Sequence, residues 1–85
     1  MEVEVGHVTH YYNHLGVAAV VVERDEIDVG DTIHISGHKT DLVQPVESME
    51  LEHSHVDVAK PGQNVGIKVL EHVREHDSVR KVVPD

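Results

Sequence analysis

The sequence contains no cysteine, no phenylalanine and no tryptophan, and Tyr11 and Tyr12 are its only tyrosines. Without cysteine there is neither a disulfide framework nor thiolate chemistry, which fits a reducing compartment. Without large aromatic rings, the core has to be assembled from aliphatic side chains. No apolar run approaches the ~20 residues needed to cross a bilayer as a helix. The acidic start, Met1-Glu2-Val3-Glu4, does not resemble a signal peptide, so a cytoplasmic chain without membrane contact is the expectation. Cations are also scarce: 7 Lys and Arg stand against 16 Asp and Glu, a formal charge of −9 with His neutral. Such a surface repels phosphate and argues against strong non-specific nucleic-acid binding, while leaving room for a small local site.

What the chain does have is valine and histidine. Its 85 residues suffice for one small domain, expected to span 1–85. Runs such as Val20-Val21-Val22 make the core β-branched, which favours strands over helices. Alternation of apolar and polar residues predicts a first strand over Val3 to Tyr11 with a bulge at Gly6. A turn over Asn13–Gly16 follows, then a strand over Val17 to Val22, apolar enough to be covered on both faces. Ile27–Gly37 reads as a tight turn at Gly30 and Asp31 followed by a strand, and His38–Asp41 as a polar loop. Pro45 marks an edge or irregular strand start, with a bulge near Glu47-Ser48 before Met49–Glu52. Lys60-Pro61-Gly62-Gln63 fits a type II turn, Val65–Val69 is a clear strand, and Ser78–Val83 closes the chain. Six short strands without a helical stripe predict an all-β fold, a small closed barrel or sandwich.

The series Gly6-x-Val8, Ala19-Val20, Ile27-x-Val29-Gly30-Asp31-x-Ile33-x-Ile35-x-Gly37, Val46-x-Ser48-Met49 and Ala59-x-Pro61-Gly62-Gln63-Asn64-Val65-Gly66-Ile67 resembles the second domain of translational GTPases such as elongation factor Tu. The match continues in order to Val73–Val79. It implies a closed six-stranded Greek-key β-barrel of the stand-alone, elongation-factor-like kind. No Gly-x-x-x-x-Gly-Lys-Ser/Thr loop is present, so the nucleotide-cradling part of those enzymes is missing. The resemblance implies a non-catalytic binding module whose partner is a protein or an RNA end of the translation machinery. It places ligand contacts at Glu50, at Asn64 and at His53, the last standing where the family carries a basic residue. The plainer readings are a solvated strand carboxylate for Glu50 and a turn residue for Asn64.

Histidine, 9 residues in all, is the one unusual chemical resource. His53-x-His55 on a strand would put two imidazoles on one face, and His34 and His38 could share another. Two imidazoles can begin a Zn, Ni or Cu site, but a structural site usually needs four ligands. A histidine-based metal-binding or pH-responsive protein is thus the alternative function, with no metal ligand set and no cofactor assigned. Ser36, Ser48, Ser54 and Ser78 belong to no nucleophile elbow, and in a strand Ser54 would face away from both neighbouring imidazoles. Catalysis is not expected.

Overall fold

The computed structural model describes all 85 residues, as ten strands and no helix. They are β1 (Glu2–Tyr12), β2 (Val17–Val22), β3 (Ile27–Asp28), β4 (Thr32–Ser36), β5 (Asp41–Pro45), β6 (Met49–Leu51), β7 (Ser54–Val56), β8 (Val58–Ala59), β9 (Asn64–Lys68) and β10 (Ser78–Val82). Eight form one antiparallel sheet in the order β5-β4-β10-β1-β2-β9-β6-β7, and β3 pairs with β8 in a separate two-stranded ladder. The all-β expectation holds. The closed barrel does not: the ladder is open between β5 and β7. Pro45 ends β5 with a residue that has no N–H to donate, and Val46–Ser48 leave the strand conformation altogether. The stretch around Glu47-Ser48 is thus a break between strands, not a bulge within one.

Rolling this sheet around one core depends on β1, whose 11 residues carry two register shifts, at Glu4/Gly6 and at Val8/His10. Each extra residue bends the strand and increases its twist. A strand so bent can pair with β10 along its first half and with β2 along its second. At Gly6 the backbones come close enough that a Cβ would collide with the Val21 carbonyl. The inward faces bury 17 aliphatic residues, among them Val5, Val8, Val20, Ile27, Ile33, Ile35, Met49, Ile67 and Val79. No aromatic ring lies at its centre; Tyr11 packs from the side and stacks on His72 at 4.6 Å.

The turns behave as their residues dictate. Gly30 (φ 101°) and Gly62 (φ 92°) occupy left-handed positions, and the Asp28 N–H donates to Asp31 Oδ2 at 2.8 Å, so the side chain fastens the turn that the sequence assigned to it. The last residue of the predicted His38–Asp41 loop already begins β5. Near the open seam, buried Gln44 ties β5 to the end of β9 by its side chain. Its Nε2 donates to the Lys68 carbonyl at 2.9 Å, and its Oε1 accepts from the Leu70 N–H at 2.8 Å.

On the outer face of β4, His34 sits between two carboxylates. Nδ1 lies 3.0 Å from Glu2 Oε1 and Nε2 lies 2.6 Å from Asp41 Oδ1. Hydrogen bonds to Asp41 and then Glu2 raise its pKa above the ordinary 6.5. A folded-state pKa above the unfolded one means the charged ring stabilises the fold fully below pH ~6.5, and that contribution disappears as pH rises through the raised value. His34→Gln should therefore lower Tm at pH 6 and lose its effect by pH 9, as read by circular dichroism melts. An equal deficit at both pH values would refute the assignment.

Candidate functional site

The groove on the outer face of β2, β9 and β6 is the concavity where the sequence-derived candidates meet. Antiparallel register places Ala19 opposite Gly66, and Gly66 opposite Glu50, in one row across three strands. Because two of these three residues are among the smallest available, the row sinks between its neighbours. A hollow of about 350 Å³ results, floored by Val17, Ala19 and Gly66 and closed at its sides by Tyr12, Leu15 and the β6–β7 hairpin. A contiguous hollow of about 300 Å³ shares Leu15, Val17, Glu50 and Gly66 and extends to Lys68. The floor is apolar, while Glu50 and Glu52 line one wall.

Leu15 stands over the groove because Gly16 (φ 65°) turns the chain, with the Leu15 and Gly16 N–H groups both donating to the Tyr12 carbonyl. Leu15 remains 64% exposed. On the opposite side the β6–β7 hairpin turns on Glu52 (φ 51°) and His53 (φ 68°), both left-handed. Two successive positive φ angles define a type I′ turn, which favours Asn-Gly; Glu and His are strained there.

Glu50, His53 and Asn64 all line this groove. Glu50 is half-exposed, 3.8 Å from His55 Nε2. Asn64 is the first residue of β9 rather than part of the preceding turn, and its Nδ2 donates to Thr9 Oγ1 at 3.3 Å, across β2. His53 corrects the expected strand pairing with His55: it is a turn residue and His55 belongs to β7, so the two imidazoles do not stand on one strand face. His34 and His38 are likewise separated, one on β4 and one beyond its end. No group of three or more His, Asp or Glu side chains is arranged to hold a metal ion. Nor is any serine hydroxyl hydrogen-bonded to an imidazole; Ser36 Oγ meets Ser78 Oγ at 3.2 Å instead.

The apolar floor itself was misjudged. Val17 to Val22 suggested a strand covered on both faces, yet Val17, Ala19 and Val21 are only half-buried, with no second layer over them. The signal was the run itself: an 85-residue chain with one sheet has little left to cover a second apolar face.

A protease of Methanocaldococcus jannaschii is 39% identical over 79 residues, 92% of this chain. A collagenase of Porphyromonas gingivalis is 37% identical over 79 residues. The chain spans 19% of the length of each of these relatives. Among solved structures, the C-terminal domain of a U32 peptidase from Geobacillus thermoleovorans superposes with a TM-score of 0.86 at 25% identity, covering 94% of this chain and 92% of that one. Its selenomethionine form gives the same score at 27% identity, covering 92% and 98%. The sequence relatives are named protease and collagenase, the structural neighbours are C-terminal domains of a U32 peptidase, and no protein-family model matches the chain.

This overturns the translation-factor reading and with it the function drawn from that reading, including an RNA end as ligand. The physical reason is visible in the residues that carried the resemblance. Gly30, Gly62 and Asp31 satisfy turn geometry, Gly6 permits close backbone approach, and Gly66 leaves room for the Val17 side chain. Any small β domain with these turns has the same needs, so such residues report on backbone geometry and not on ligand. A site is better sought in side chains that folding does not require, such as Leu15, Glu52 and His53.

Proposed function

We propose that this chain is a non-catalytic, polypeptide-binding module of a U32, collagenase-like peptidase, holding an extended protein segment in the groove over β2, β9 and β6. The uncovered apolar strip of Leu15, Val17 and Ala19 beside the small Gly66 carries the reading, because an extended chain needs such a trough for alternate side chains. The relatives' names supply the ligand class: a protease and a collagenase act on polypeptide. Glu50 and Glu52 would face the segment's N–H groups and basic side chains. The strained Glu52-His53 turn fits a position kept for contact at the expense of stability.

Peptides from a gelatin digest, titrated into the isotope-labelled chain, should shift the amide resonances of Val17, Ala19, Glu50 and Gly66. Leu15→Ser should weaken binding by about fivefold or more, the loss of one exposed anchor worth ~1 kcal/mol, while leaving Tm nearly unchanged. The double variant Glu52→Asn, His53→Gly should do the opposite on stability, gaining ~1 kcal/mol or more by relieving two left-handed residues, and should bind less well. Silence at the groove with both gelatin and casein digests would overturn the proposal.

A further inference from the structure

A separate hollow, about 230 Å³, opens between the β4–β5 connection and the turn that leads into β10. It shares no residue with the groove and no hydrophobic residue lines it: Gly37, His38, Lys39, Arg74, Glu75, His76 and Asp77 form it. In a chain with 7 Lys and Arg against 16 acids, this concavity matches its two carboxylates, Glu75 and Asp77, with two strong cations, Lys39 and Arg74, and adds two imidazoles, so its formal charge is balanced where the chain's is negative.

Their partners matter more than their number. Neither Lys39 nor Arg74 forms an ion pair. Arg74 is held instead by carbonyls, its Nη1 donating to Lys39 O at 3.1 Å and to His72 O at 3.3 Å. That leaves Nε and Nη2 of a positioned guanidinium with no acceptor, the edge that matches the two oxygens of a carboxylate. The two acids present are already engaged. Glu75 Oε2 lies 3.3 Å from His10 Nδ1, and buried Asp77 accepts the Arg74 N–H on Oδ2 at 2.8 Å. Asp77 thereby fixes the turn that presents Arg74.

We propose that this hollow is a carboxylate-binding site, taking the C-terminal carboxylate of a peptide, with the Nε/Nη2 edge of Arg74 as the orienting donor and Lys39 as the second charge. A single planar guanidinium edge suits a monoanion with two coplanar oxygens. The net charge of −9 disfavours a multiply charged phosphate. The site stands independently of the groove and of its ligand.

The test is a titration of the isotope-labelled chain at low salt with N-acetyl-glycylglycine, its C-terminal amide and inorganic phosphate. The free acid should shift the amides of Gly37–Lys39 and Arg74–Asp77 and the Arg74 Nε signal, and the amide should not. Arg74→Gln should weaken binding of the acid at least tenfold. Because Arg74 also ties two loops together, Lys39→Gln serves as the variant that spares the fold, with an expected loss of threefold or more at unchanged Tm. Equal shifts from acid and amide, phosphate binding at least as tightly as the acid, or no shift from any of the three would each overturn the assignment.

Discussion

Gly6→Ala is expected to be the most damaging single-methyl change in the chain. Gly6 pairs with Val79 on one side and Val22 on the other, directly after the first register shift of β1. The atom that a new Cβ would strike is the backbone carbonyl of Val21, not the tip of a flexible side chain. Val21 cannot retreat cheaply, since it is paired with His7 on β1 and Asn64 on β9. Relief therefore requires moving a strand in the middle of the sheet. Overpacking a tight interior costs ~1–3 kcal/mol, occasionally more, and the rigidity of this contact puts the cost at or above the top of that range. For a domain of this size that corresponds to a Tm lowered by roughly 15 °C or more. A thermal melt decides it: a fall of less than about 5 °C, the equivalent of ~1 kcal/mol, would mean that the bulge relaxes around the methyl group.

Gln44→Leu comes second and acts through a different mechanism. Leucine fills nearly the same volume, so packing across the seam is largely retained. What disappears is the full use of the amide: donation to Lys68 O and Pro45 O, and acceptance from Leu70 N–H. Leaving partly buried polar partners unsatisfied costs ~1–3 kcal/mol, and the seam has no ladder to compensate. A loss of ~2–3 kcal/mol in urea denaturation is expected. Hydrogen exchange at the Leu70 amide should accelerate well beyond that at Ile67, which lies in β9 with partners on both sides. If Leu70 exchanges as before, the seam is held by packing and the amide is incidental.

Legibility from the sequence followed from which interactions are local. The β2 boundaries, the Pro61-Gly62 turn and the Asp31 fastening were readable because each depends on residues within a few positions of one another, and the Gly6 bulge because a glycine inside a strand pattern marks one. The open seam was not. It depends on Gln44 reaching the backbone of residues 24 and 26 positions away, which no period of two reveals. The β6–β7 hairpin was missed because Glu52-His53 lacks the Asn, Asp and Gly residues that normally announce a type I′ turn, and alternation alone suggested a continuous strand. The error over His53 and His55 came from the same source. Glu50, His53 and Asn64 line one groove, but the chemistry assigned to them was drawn from turn glycines that serve the backbone. The carboxylate pocket had no sequence signal at all, since Lys39 and Arg74 are brought together only by the pairing of β4 with β10.

The register of β1 against β10 also has a mechanical side. Glu2 is opposite Val82, so the outer ends of these two strands lie together at one edge of the molecule. A tension applied at those two points pulls antiparallel strands apart from one end, loading their hydrogen bonds one rung at a time rather than shearing them together. The first rungs, at Glu2, Val3 and Glu4, precede the bulge and are flanked by exposed or half-buried side chains. A modest load would therefore peel the strands as far as Glu4, where the register shift and the buried Val5 meet the core, and there the resistance would rise. Suspended between two tethers, the domain would lengthen by a few residues before giving way, with β2, β6 and β9, and the groove they carry, still intact.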